Sequence, residues 1–177
     1  MGDFSLQSNP NGAWSYEAQD PTGDYTLMRV KQADDCRAIR GFACWAKSFD
    51  GLPFIGINIV ETPFQHGSVL FPENVLLLHP DIVGVRPVLT WTAPAAGTYG
   101  FAGQFQISDV APTGVEVGVQ AAGKLLMDEL LLPRGATAPF DFKVKLDAGK
   151  KVRFWVDRDG NYTFDTTSLK VVVLPLD

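Results

Sequence analysis

Residues able to bind or react gather in two stretches. The first is Asn9-Pro-Asn-Gly-Ala-Trp-Ser-Tyr16, where Trp14 and Tyr16 flank Ser15 and amides stand at Asn9 and Asn11. Sugar binding needs such a set: ring faces stack on CH groups while hydroxyls bond amides and carboxylates. Trp45 and Trp155 extend it. Trp155 falls in phase with Arg153 and Asp157, opposite Val152, Phe154 and Val156, so its indole is expected on the polar side of a strand. There it would serve a partner as a platform or lie as a cover beneath a loop. Trp14, Tyr16, Trp45 and Trp155 are the candidate stacking residues, with Asn11 and Asp159 as hydroxyl partners. Trp91, between Thr90 and Thr92 and in phase with Leu89, reads as core.

The second stretch is Asp157-Arg-Asp-Gly-Asn161-Tyr-Thr-Phe-Asp165-Thr-Thr167. Asp157, Asp159 and Asn161 alternate around a glycine, as oxygen ligands do in a loop that wraps Ca2+. With the glycine one position early and no closing glutamate, an EF-hand is excluded. A structural Ca2+ on Asp157, Asp159, Asn161 and Asp165 is one expectation; a solvated turn whose side chains bond their own backbone is the other. Asn161-Tyr-Thr163 also matches a glycosylation sequon.

Catalysis finds no comparable cluster. His66 and His79 lie outside any nucleophile elbow, and His79, ahead of Pro80 at the end of an apolar run, reads as a strand-end structural residue. HExxH, GxGxxG and GxxxxGK[ST] are absent from the sequence. Asp34-Asp35 and Asp128-Glu129 are adjacent acids, which on a strand point to opposite faces. They cannot pair as a glycosidase acid and nucleophile. The expectation is a non-catalytic chain.

The elements that position these residues are strands. Tyr99, Phe101, Phe105 and Ile107 share one face of a run whose other face carries Gln104 and Gln106. Val115, Val117 and Val119 alternate with polar residues, as do Phe140, Phe142, Val144 and Leu146, and then Val152, Phe154 and Val156. One buried and one solvated face marks antiparallel sheet. Turn residues at 94–97, 112–114, 122–124 and 147–150 separate the runs, and Ala122-Gly123 predicts a tight hairpin between 115–121 and 124–130. The apolar Leu169–Leu174 run is expected in the sandwich centre. Only 32–40 has a helical flavour, and long connections are expected at 7–25 and 60–75. The expectation is an all-β, antiparallel jelly-roll sandwich of about ten to twelve strands, one domain over 1–177.

Composition agrees. The 177 residues are 46% hydrophobic and 20% charged, which excludes a disordered chain, and 17 Gly with 12 Pro suits many short strands. A net charge of −5 argues against a nucleic-acid partner. No uncharged apolar run nears the ~18 residues that span a bilayer. The start, Met1-Gly2-Asp3-Phe4, shows no basic and apolar leader pattern. Cys36 and Cys44 could face each other across a hairpin, although two buried free thiols are the favoured reading.

Asn9-Pro-Asn-Gly-Ala-Trp-Ser-Tyr16 resembles the opening motif of a domain recurrent in exported bacterial proteins, found beside glycoside hydrolases or surface anchors. The likeness continues through Leu78-His-Pro80, Val88–Tyr99, Phe105–Asp109, Leu146–Gly149, Gly160-Asn161 and Asp165-Thr-Thr167, so it covers nearly the whole chain. Glu17 stands where that pattern carries glycine. The resemblance implies an exported, non-catalytic jelly-roll module of carbohydrate-binding type, extracellular or at the cell surface, with a polysaccharide or glycan as partner and a catalytic domain as neighbour. A shorter likeness, Trp91-Thr-Ala-Pro-Ala-Ala-Gly-Thr-Tyr-Gly-Phe101, is similar to C1q- and tumour-necrosis-factor-like jelly rolls. It implies a trimeric assembly or receptor-binding protein with its aromatics at subunit contacts.

Overall fold

The computed structural model describes residues 4–131 and 135–176. Among them lie fifteen strands and one short 3-10 turn, Cys36–Ala38, all that comes of the helical flavour at 32–40. In chain order the strands are β1 (Trp14–Gln19), β2 (Tyr25–Leu27), β3 (Val30–Gln32), β4 (Phe42–Ala46) and β5 (Phe54–Asn58). Next come β6 (Phe64–His66), β7 (Val69–Phe71), β8 (Leu76–His79), β9 (Arg86–Thr92) and β10 (Gly97–Ile107). The last are β11 (Val115–Ala121), β12 (Lys124–Leu131), β13 (Thr137–Leu146), β14 (Lys151–Arg158) and β15 (Thr167–Pro175).

Two antiparallel sheets pack face to face as a jelly-roll sandwich. One runs β12-β11-β14-β9-β1-β2, the other β13-β10-β15-β8-β5-β4-β3, and β6-β7 is a separate hairpin. The hairpin expected at Ala122-Gly123 joins β11 to β12, with a register shift after Val119. Pro87 is tolerated inside β9 because the ladder to β14 stops at Val88. Edge strand β13 carries Asp141, Lys143 and Lys145, which discourage another chain from pairing there.

Alternation places one residue set between the sheets. Tyr16, Leu89, Trp91, Phe101, Phe105, Val117 and Phe154 belong to this main core. A second cluster of Phe42, Cys44, Phe54, Phe71 and Leu77 lies on the opposite side of β4, β5 and β8, packed beneath β7 and the 3-10 turn. Hence β4 is buried along its whole length, Trp45 facing the main core and Cys44 the satellite. The close β4–β5 approach requires glycine at 56, where a Cβ would come within 2.4 Å of the Phe42 ring.

The structure corrects four expectations. Fifteen strands stand among the described residues where ten to twelve were expected, because β2, β3, β6 and β7 are three-residue pieces too short to show a period. Cys36 and Cys44 are joined in a disulfide, their Cα atoms 5.7 Å apart, rather than lying as free thiols. Their loop turns through Gly41, whose positive φ of 84° suits glycine. The intervals 7–25 and 60–75 are not mere connections, since they contain β1 and the β6-β7 hairpin. Finally, β15 lies inside its sheet, yet Val172 and Leu174 on its outer face are exposed.

Candidate functional site

The 9–16 segment is held by its own amides. The Asn9 side chain donates to the carbonyls of Tyr16 (2.7 Å) and Met28 (2.9 Å) and accepts the Tyr16 N–H (2.9 Å). Asn11 and Trp14 exchange backbone bonds of 2.8 and 3.0 Å around Gly12, which takes a left-handed φ of 56°. This turn delivers Trp14 to the first position of β1, opposite Trp91 of β9. There it is half-buried at the rim of the core.

The other three proposed stacking residues are buried. Tyr16, two residues on in the same phase, points inward and stacks on Trp45 with ring centroids 6.5 Å apart. They are 1% and 8% exposed, and the Trp45 indole donates to the Ser5 carbonyl at 2.8 Å. Period-2 alternation carried both into the core. Trp155 does lie on the side opposite the main core, as its phase required, but is only 4% exposed. Its ring packs against Gly118 of the neighbouring strand, and the Arg86 guanidinium sits 4.1 Å from its centroid. Trp155 is thus buried, covered by the Arg86 side chain and not by a loop.

Trp14 and Asn11 remain together in a groove. Its volume is about 610 Å3, and Trp91, Pro94, Tyr99 and the 171–173 stretch of β15 line it too. One wall is a strand edge. β15 pairs with β10 along its whole length but with β8 only at Thr167–Leu169. The bond from the Leu176 N–H to the Thr98 carbonyl (2.9 Å) sets the phase, so even-numbered residues of β15 face β10. The backbone N–H and C=O of Val171 and Val173 point the other way, past the end of β8, and have no partner among the described residues.

A smaller cup of about 280 Å3 opens at the far end of the sandwich, lined by Arg37, Phe54, His79, Asp109, Tyr162 and Thr166 among others. His79 ends β8 with Nδ1 3.1 Å from the Thr166 hydroxyl and its ring stacked on Phe54 at 5.5 Å. Burial, with the nearby Arg37 charge, pushes His79 down to about 3, so it is neutral at physiological pH. The strand-end role expected for it is what this environment supplies.

Of the expected calcium ligands, the carboxylates of Asp157, Asp159 and Asp165 do not gather closely enough to hold an ion together. Asp157 is half-buried, its carboxylate 3.6 Å from Arg86 and bonded to the Arg158 N–H. Asp159 is exposed and packs against Gly114, and the Asn161 side chain accepts the Thr163 N–H at 2.9 Å. Asp165 is fully buried, with Oδ1 accepting the Thr113 hydroxyl at 3.0 Å. Its Oδ2 is buried without a hydrogen-bond partner. Burial lifts Asp165 to about 7, with the Asp109 and Asp159 charges adding to the rise against the Thr113 bonds.

Sequence reasoning missed Glu17, Asp109 and Thr113. Glu17 is 5% exposed on the outer side of β1, where it accepts the Thr90 hydroxyl at 2.7 Å and pairs with Lys151 (3.0 Å) and Arg153 (3.5 Å). Period-2 phase alone would have put it beside Thr90, Lys151 and Arg153, had β1 been recognised as a strand.

Neither a scan of protein-family models nor a search of curated proteins finds a match. Solved structures similar to this chain include CBM51 from Clostridium perfringens GH95 in complex with methyl-galactose. That likeness has 13% identity, 56% of this chain and 68% of that one covered, and a TM-score of 0.40. The CBM36-1 domain of a multidomain xylanase from the hindgut metagenome of Trinervitermes trinervoides is 14% identical, with 63% and 86% covered and a TM-score of 0.36. The enzymatically active domain of bacteriophage CBA120 tailspike protein 4 is 6% identical, with 99% and 20% covered and a TM-score of 0.43. Carbohydrate-binding modules thus stand among the structural neighbours, beside an enzyme, all too distant to carry a functional argument.

Proposed function

We propose that this chain binds carbohydrate without transforming it, as an exported accessory or cell-surface module acting on a polysaccharide or glycan. The observation that carries the reading is the groove beside β15. It combines the half-buried Trp14 ring and apolar walls with the unpaired N–H and C=O groups of Val171 and Val173. A sugar offers the matching pair of surfaces, CH groups for the indole and hydroxyls for the backbone donors and acceptors. A volume of about 610 Å3 falls in the range of small-ligand sites. The described residues that line it include no carboxylate or imidazole, so those side chains offer no general acid or base to cleave what they hold.

The test is a broad glycan and polysaccharide array with wild type and Trp14→Ala, each checked for native circular dichroism. Binding that Trp14→Ala reduces by about 10-fold or more supports the groove, since base and ring stacking contacts are worth about 1–3 kcal/mol. A blank array, or binding indifferent to Trp14→Ala in a folded variant, overturns it.

A further inference from the structure

We propose that a divalent cation, calcium by the chemistry of its surroundings, binds where the 108–114 and 159–166 loops meet, held by Asp165 and Asp109 with main-chain oxygens of the second loop. This is a different ligand set from the one read off the sequence, since it drops the side chains of Asp157, Asp159 and Asn161 and enlists Asp109 from the other loop.

Three observations support it. Asp165 and Asp109 are 0% and 2% exposed, and no ion pair to either exists among the described residues. Buried carboxylates are ordinarily paired or bound to metal, because an uncompensated charge away from water is costly. Asp165 Oδ2, moreover, is buried without a hydrogen-bond partner, while the Thr113 hydroxyl and main chain serve the same carboxyl. Beside it, the Thr113 hydroxyl lies 3.0 Å from Asp165 Oδ1, 2.9 Å from the Thr163 carbonyl and 3.2 Å from the Asn161 carbonyl. One hydroxyl proton cannot serve three acceptors. The cluster has an excess of oxygen lone pairs over donors, which a cation would relieve.

The oxygen character selects the metal. Among the described residues, no three His, Cys, Asp or Glu side chains gather closely enough to hold an ion by themselves. Two carboxylates completed by carbonyls and water suit Ca2+, which takes six to eight oxygens in flexible geometry, and not zinc with its His and Cys sets. The two loops are already tied together. The Ser108 N–H bonds the Thr166 carbonyl at 2.9 Å, and the Asp159 N–H bonds the Gly114 carbonyl at 3.2 Å.

The experiment takes the EDTA-dialysed chain near pH 7.5 and follows Ca2+ by isothermal titration calorimetry, terbium by luminescence, and the melting temperature against calcium concentration. One ion per chain is expected, with a melting temperature that climbs as calcium rises through the dissociation constant. Loss of even a supporting contact weakens metal sites about 10–100-fold, so Asp165→Asn and Asp109→Asn should each weaken binding at least that much. Asp157→Asn should leave the affinity within about twofold, since removing a side chain outside the ligand shell does not touch it. Blank wild-type calorimetry and luminescence with an unchanged melting temperature would overturn the proposal. Loss of binding in Asp157→Asn alone would overturn this ligand set. The wild-type measurements decide the matter even where a variant fails to fold.

Discussion

Replacing Glu17 is the sharpest available perturbation of the fold. Its carboxylate takes the Thr90 hydroxyl at 2.7 Å, where Thr90 is wholly buried, and pairs with Lys151 at 3.0 Å and Arg153 at 3.5 Å. Lys151 keeps 38% of its side chain exposed, so solvent screens that pair and it contributes little. The Thr90 bond and the less exposed Arg153 matter more. Glu17→Gln keeps the volume and an acceptor for Thr90 but loses the charge, at an expected cost of about 1.5 kcal/mol. Glu17→Ala leaves a buried hydroxyl without its acceptor and the Arg153 guanidinium without its counter-charge, at about 3 kcal/mol. For a chain of this size these become losses of about 4 °C and about 9 °C in melting temperature.

The pH dependence supplies a second readout. Burial by itself would raise the Glu17 pKa, but the Thr90 and Lys151 hydrogen bonds, with the Lys151 and Arg153 charges, outweigh it and hold the group below its ordinary value of 4.5. A depressed folded pKa means stability that is complete above the unfolded value and lost as pH falls through the folded one. Urea unfolding at pH 7 and again in acid below the glutamate range should therefore show wild type and Glu17→Gln converging. A Glu17→Gln variant within about 0.5 kcal/mol of wild type at pH 7, the scatter of ordinary surface substitutions, would refute the reasoning. So would a gap that persists in acid.

Two further perturbations address the packing of the sheets. In Gly118→Ala the new Cβ would stand 2.1 Å from the Trp155 ring, so the indole must leave its seat under Arg86. The expected cost is about 1–3 kcal/mol, with a red-shifted tryptophan emission; unchanged emission and stability would show that the ring has room to slide. Paired Cys36→Ser and Cys44→Ser changes open a loop of eight-residue separation. Chain entropy alone sets that loss near 2.5 kcal/mol in urea unfolding, and a loss below about 1 kcal/mol would mean that the satellite core holds the loop without the bridge.

Legibility in the sequence followed from how many faces of each strand meet water. β10, β11, β13 and β14 have one wet face, and their alternation displayed both strand and orientation. β4 and β5 are buried on both sides, between the main core and the satellite under the 3-10 turn, so Phe42–Ala46 shows no polar phase to read. β1 failed for another reason: its outward residues Ser15, Glu17 and Gln19 are polar yet buried under Lys151, Arg153 and Arg86. Polar character was mistaken there for exposure, and with it Tyr16 for a binding residue. The 91–101 likeness shows the same effect. Trp91 lies 4.7 Å from Tyr99 and 5.2 Å from Phe101, edge to face, and all three are buried within the chain. Their spacing encodes packing across β9 and β10, which leaves their rings little surface to give to a subunit contact.

The two proposed sites lie at opposite ends of one strand pair, which makes their tests independent. The groove meets β10 at Tyr99, while the loop that carries Asp109 leaves it after Ile107. Eight residues of strand separate those points by about 27 Å. That distance exceeds the roughly 8–10 Å over which charges act through physiological salt, and the sites share no side chain. Chelation should therefore lower the melting temperature while leaving glycan affinity at Trp14 within about twofold, as expected for uncoupled sites. The opposite pattern, binding abolished by EDTA but indifferent to Trp14→Ala, would move the ligand to the cup between His79 and Tyr162, whose rim is built from the loops the cation would join. In that case the β15 edge would be a site without a sugar, and the loop end would hold both the metal and the glycan.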